Sequence, residues 1–257
     1  MDWEDTGKSM QALWLALEST NAKRLRRVFG RLFGRDIYYG DQRHYAFAHG
    51  RHKSSRIALV NHLIHLNGYQ SYLEIGVRDQ SDMFESVNSP HSVSVDPDPT
   101  ANADHSLPSD EFFARNEEKF DIVFIDGNHT GEQVERDILN SLSCLSPNGV
   151  ILLHDMNPPT MFHARHDYEV SGKHPSWNGT SWKGYAALRK SRSDLSMNVV
   201  DTDWGVGIVR RGHQDIISIP CETYTDLSAN RKEILNLISV AEFLELNSTP
   251  CTQATGV

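Results

Sequence analysis

"FDIVFIDGNHT" (Phe120–Thr130) and, further on, "GVILLHDMN" (Gly149–Asn157) are short apolar runs that each stop on acid and imidazole. An apolar run without alternation reads as a strand buried on both faces, as in a parallel sheet covered by helices. Two such strands ending alike imply a shared rim where Asp126, His129, His154 and Asp155 gather.

The same rhythm extends outward. "SYLEIGV" (Ser71–Val77) and "HSVSVD" (His91–Asp96) are further short β-branched or apolar runs. Between the two opening stretches lies "GEQVERDILNSLSCL", with Val134, Ile138, Leu142 and Leu145 at helical spacing. Strand alternating with helix predicts an α/β, Rossmann-like doubly wound sheet. "MNVVDTD" (Met197–Asp203) and "GVGIVRR" (Gly205–Arg211) follow one another too closely for a parallel crossover, so an antiparallel hairpin should end the sheet. Helical additions flank it. Ile57, Val60, Leu63 and Ile64 mark a helix capped by Gly68, and "SANRKEILNLISVAEFLEL" predicts one last helix with a broad apolar face. The expected division is 1–68 as an N-terminal helical segment, 69–213 as a ligand-binding core and 214–257 as a C-terminal helical arm.

Composition narrows the class. A formal charge of −9 spread over 257 residues argues against a nucleic-acid surface. The basic exception, "KRLRRVFGRLFGR" (Lys23–Arg35), reads as an amphipathic helix packed on this chain or on a second copy, with contact to an anionic partner or a membrane surface as the alternative. No run is apolar enough for stable membrane insertion, and "MDWEDTGKSM" has no secretory pattern, so a cytoplasmic protein is expected. Three scattered cysteines suggest neither a disulfide framework nor a thiolate metal site.

In an open parallel sheet, ligands bind beyond the carboxyl ends of the strands. Glu74, Gly76, Asp96, Asp126, His129, His154 and Asp155 would therefore face one crevice. Asp96, about twenty residues past a glycine turn at the end of the second strand, suits a ribose diol. Gly76 would let the backbone approach a ligand closely.

Together, "YLEIGV", "VSVDPDP", "SDEFF", "FDIVFIDGNHT", "VILLHDMNPP", "WNGTSWK" and "DTDWGVGIV" resemble the class I S-adenosylmethionine-dependent methyltransferases. The likeness is to a small branch with DG-x-H after one strand and HD after the next, and it runs from Tyr72 to Val209. It implies a seven-stranded sheet, S-adenosyl-L-methionine as cofactor, and a cofactor site of Glu74, Gly76, Ser81, Asp96, Ser109, Asp110 and Asp126. One departure is visible: Arg78, Asp79 and Gln80 stand where the family usually has further glycines.

A hydroxyl acceptor is a poor nucleophile at neutral pH, so methylating it calls for a general base or a divalent cation. Asp126 and Asp155, with His154, form a candidate cation set for Mg²⁺ or Mn²⁺, and either His129 or His154 could accept the proton. Macrolide-sugar O-methyltransferases are similar here but carry two adjacent acids where this chain has His154-Asp155; imidazole favours Mn²⁺, Fe²⁺ or Zn²⁺ over Mg²⁺. The irregular stretch Asn157–Lys183, with Tyr168, His163, His166, His174, Trp177, Asn178 and Trp182, joined by Trp204, could bind a saccharide or other small-molecule acceptor. Asp201–Asp203 reads as structural. Two alternatives stay open: a nicotinamide-dependent dehydrogenase, disfavoured because "EIGVRDQSD" lacks the pyrophosphate glycines, and a silent S-adenosylmethionine-binding module. The apolar terminal helices make a homodimer plausible.

Overall fold

The computed structural model of the chain describes residues 55–170, 172, 174 and 176–250. Lys23–Arg35, most of segment 1–68 and Cys251 lie outside them. Helix α1 (Arg56–Asn67) starts where the Ser55 hydroxyl accepts the Ala58 amide, and stops at Gly68, whose φ of 64° makes the left-handed cap.

The sheet follows the alternation read above. Its strands are β1 (Ser71–Ile75), β2 (His91–Val95), β3 (Phe120–Ile125), β4 (Leu145–Leu153), β5 (Leu195–Val200), β6 (Val206–Arg211) and β7 (Leu237–Ile238). They lie in the order β2-β1-β3-β4-β6-β5-β7. Strands β1 to β4 are mutually parallel, and β6 runs antiparallel to both β4 and β5. At the β5–β6 turn, Asp203 and Trp204 both take positive φ (45° and 65°) and the Gly205 amide donates to Thr202 O. A turn with two left-handed central residues matches strand twist, which is why a tight hairpin forms here.

Side chains alternate between two cores. Val123, Ile125, Ile151 and Leu153 pack under α3 (Gly131–Cys144), α4 (Ser181–Ser191) and α5 (Tyr224–Leu235), with Trp182 fully buried among them. Ile122, Phe124, Val150 and Leu152 face α1 and α6 (Val240–Leu246). The short α2 (Ser109–Arg115) precedes β3. Burying both faces of β3 and β4 explains their unbroken apolar character.

The expected single C-terminal helix is in fact three pieces. Asn236 adopts φ 45° and stops α5, and its side-chain amide donates to Met197 O. Leu237 and Ile238 then pair in parallel with Val199 and Val200. Ser239 and Glu242 form a capping box that starts α6. The seventh strand thus comes from within residues whose periodicity reads as helix. No helix among the described residues is long and apolar enough to cross a membrane.

Candidate active site

Each strand of the parallel block ends one or two residues before its polar cluster, so Gly76, Asp96, Asp126, His154 and Asp155 all lie just past a strand terminus. Strand order reverses between β1 and β3, where the chain runs outward to β2 and then returns. At that point opens a cleft of about 760 Å³, lined by every expected site residue except Ser81. Ser81 is exposed instead and bonds to Asp79 through both its amide and its hydroxyl.

The β1–β2 side is built from backbone donors. Asp96 accepts the Arg78 amide at 2.9 Å and the Asp98 amide at 2.8 Å, while Asp98, not Asp96, caps the turn at Pro99. Arg78 reaches its position with φ 55°, a conformation that glycine adopts freely and arginine at a cost of about 1 kcal/mol. Gly76 lines the cleft and also meets a demand from the protein itself. Its φ is +86° and a Cβ there would sit 2.4 Å from Asp126 O and from the Gly127 backbone. The glycine therefore lets the β1 and β3 loops touch, so the space its missing Cβ leaves is filled by protein. Glu74 is buried and takes a hydrogen bond from the Tyr72 hydroxyl. Burial, with some repulsion from Asp126, pushes its carboxyl up to about 7 against the opposing pull of that hydrogen bond. On the far side, Ser109 donates to the buried Asp137 at 2.7 Å, and Gln133 donates to Ser109, Asp110 and Asp137.

Between the ends of β3 and β4 stands a closed ring of four side chains. His129 Nε2 is 3.2 Å from Asp126 Oδ1, and its Nδ1 is 3.3 Å from Asp155 Oδ2. His154 Nδ1 is 3.3 Å from Asp126 Oδ1 and 3.5 Å from Asp155 Oδ2. Burial lowers both imidazoles, but the adjoining carboxylates outweigh it, and both pKa values rise, that of His154 well above its ordinary value. Burial likewise raises Asp126, yet His154 and His129 hold it far below the usual carboxylate range.

This ring suits a cation. Asp126, His154 and Asp155 each offer an atom within 4.8 Å of the others. Although carboxylates stand close, Nδ1 of neither His129 nor His154 makes a well-directed hydrogen bond. Two buried imidazole nitrogens and two carboxylates converging with poorly directed contacts make a donor set that a hard or borderline cation satisfies. Asp155 itself holds φ 62°, the kind of backbone strain that gathers at functional positions.

Sequence reasoning overlooked part of the surround. Asp203, which reads as structural, stands 3.6 Å from His154 Nε2 and accepts the Arg56 amide at 2.8 Å; Arg56 Nη1 is 3.4 Å from the same Nε2. The signal was there in "DTDWG", since Asp readily takes the left-handed φ of such a turn. Among the tryptophans, Trp182 is a core anchor, whereas Trp177 stacks on His129 with centroids 5.0 Å apart and continues through Tyr168 to His174. His166 is exposed and pairs with Asp167, and His163 is buried against Thr160.

Compared with known families, residues 5–156 match the one described as "Methyltransferase domain", more than half of the chain. The chain belongs to that family. It is a class I S-adenosylmethionine-dependent methyltransferase, and the dehydrogenase alternative falls. The methyltransferase match begins inside segment 1–68 and ends at Met156, so Asn178 and Asp203 lie beyond it. No curated protein matches the chain. Among solved structures it is similar to the SAH-bound methyltransferase PaMTH1 of Podospora anserina, at 16% identity over 62% of this chain and 80% of that one, TM-score 0.46. It is also similar to the O-methyltransferase TomG of Streptomyces achromogenes in complex with SAM, at 15% identity over 60% and 78%, TM-score 0.44. The MycE methyltransferase of mycinamycin biosynthesis, in complex with Mg, SAH and mycinamycin VI, shares 16% identity over 62% and 49%, TM-score 0.38.

Proposed function

We propose that this methyltransferase transfers the methyl group of S-adenosylmethionine to a hydroxyl oxygen of a sugar, glycoside or related small molecule. The observation that carries the reading is the ring of Asp126, His129, Asp155 and His154 at the rim of the cleft. The same reading assigns cofactor binding to residues 69–213, flanked by 1–68 and 214–257.

A sulfonium is an excellent methyl donor, so the protein's task is to hold the acceptor in line and take its proton. His129 is the better proton acceptor. Its side chain keeps 17% of its exposure against 8% for His154, and its ring adjoins Trp177 on the covering segment. Asp126 and Asp155 orient that ring and stabilise the imidazolium formed on proton uptake. His154 is the more buried of the two, with Nδ1 toward the carboxylates and Asp203 and Arg56 at Nε2, a setting that suits a ligand. Asp126, His154 and Asp155 would hold a divalent cation, which supplies positive charge against the developing alkoxide and relieves the imidazoles of the need to stay protonated. The donor set favours Mn²⁺ over Mg²⁺. Aromatic faces at Trp177 and Tyr168 beside polar rims suit a saccharide.

The test is a mass-shift screen of sugars and glycosides with S-adenosylmethionine, run in Mn²⁺, in Mg²⁺ and with EDTA. Methylated product that His129→Ala lowers about 10²–10⁴-fold is the expected result. Failure of every hydroxyl acceptor, with S-adenosylhomocysteine formed only on other nucleophiles or not at all, would end the reading.

A further inference from the structure

Four consecutive residues of the covering segment, Trp177 to Thr180, each touch the acid–imidazole ring or the loop that carries it. Trp177 stacks on His129 and is itself fixed by its indole N–H donating to Arg165 O at 2.8 Å. Asn178 Nδ2 donates to Asp155 Oδ1 at 2.7 Å. Gly179, at φ +65°, lies so close that a Cβ would be 2.2 Å from His129 O. The Thr180 amide donates to that same carbonyl at 2.8 Å, and the Thr180 hydroxyl accepts the Gly131 amide.

Asn178 is the informative member. It is fully buried, its amide oxygen has no partner, and its one side-chain hydrogen bond goes to Asp155. Leaving a buried carbonyl unpaired costs about 1–3 kcal/mol, so an amide here is a poor choice for stability alone. The orientation is set by charge: turning the amide over would place its oxygen against a carboxylate. With Oδ1 taken, Asp155 presents Oδ2 to His129 and His154 at 3.3 and 3.5 Å.

We propose that Asn178 is a positioning residue that fixes the Asp155 carboxylate, so that Oδ2 faces the two imidazoles, and that Trp177–Thr180 thereby buckles the covering segment onto the reacting centre. This rests on the reading of the ring as that centre, and it assigns a role to residues outside the family match. A carboxylate locked through one oxygen has one rotamer in which the other completes the ring; freed, it has several.

The test uses Asn178→Leu, which keeps the size but removes the donor without adding charge, and Asn178→Ala. Binding of S-adenosylhomocysteine by calorimetry and thermal unfolding establish that each variant is folded. Mn²⁺ binding is then followed by electron paramagnetic resonance, and the ring resonances of His129 and His154 by NMR in metal-free protein. The expected result is Mn²⁺ binding weakened about 10–100-fold, the size found for outer-shell partners of metal ligands, with displaced imidazole resonances and unchanged S-adenosylhomocysteine affinity. Wild-type Mn²⁺ affinity in both folded variants overturns the proposal. If the wild-type protein takes up no Mn²⁺, the metal reading fails separately. The imidazole spectra then decide: resonances unmoved in Asn178→Leu overturn the positioning role, and displaced ones uphold it. If one variant does not fold, the other decides.

Discussion

Asp203 Oδ1 stands 3.6 Å from Nε2 of His154, the ring nitrogen opposite the one that meets Asp126 and Asp155. Burial raises the Asp203 carboxyl, but His154 and the Arg56 amide and guanidinium outweigh this and hold it down at about 2. A carboxyl depressed by folding stabilises the native state above its unfolded value near 3.8, and that contribution fades as pH falls toward 2. Asp203→Asn should therefore lose about 1–2 kcal/mol at pH 7. Urea unfolding should show the deficit closing as pH is lowered from 4 toward 2; a deficit independent of pH would show that charge is not its origin.

Glu74 gives the opposite slope. Its folded value of about 7 exceeds its ordinary 4.5, so the folded state keeps a proton that the unfolded chain gives up between those pH values. Stability contributed by the neutral acid is complete below pH 4.5 and is lost as pH rises through 7. Glu74→Gln, matched to wild type at pH 4.5, should be the more stable protein at pH 8 by up to roughly 3 kcal/mol. Paired melting curves at the two pH values measure this, and equal curves at pH 8 would contradict it.

Gly76→Ala tests the contact between the β1 and β3 loops. With no room for a methyl group and a left-handed φ, the substitution should cost more than about 2 kcal/mol and weaken S-adenosylhomocysteine binding. Denaturant unfolding and calorimetry read the two effects. Unimpaired stability would mean that the loops part easily.

Trp182 and Trp177 should separate stability from turnover. Trp182→Ala empties a fully buried site and should cost about 3–5 kcal/mol. Trp177→Ala removes a ring from His129 at the cleft. It should leave the unfolding midpoint nearly unchanged while lowering turnover about tenfold or more, with Trp177→Phe partly restoring it.

The fold was legible where period and burial agree. The runs ending at Asp126 and Asp155 announce central strands because both faces are covered, and the crevice follows from where such strands stop. The C-terminal region misled because Leu237 and Ile238 continue the helical spacing of Ile234 and Leu235. The break is set by Asn236 capping against Met197, a contact remote in sequence. The ring's own members were readable from residue type and position. The roles of its outer partners were not: Asn178 reads only as a possible acceptor contact and Asp203 as structural, since Arg56, Asn178 and Asp203 come from three distant segments and only folding brings them to His154 and Asp155. Ser81, placed by resemblance alone, does not line the cleft, and its hydroxyl donates to Asp79.

The two-residue strand β7 shields Val199 and Val200 of β5. Without it, the outer margin of the sheet would present free amide and carbonyl groups beside two β-branched side chains, a template for strands of other molecules. Trimming the chain ahead of Asn236 should consequently yield self-association as the first symptom, appearing before any defect in cofactor capture.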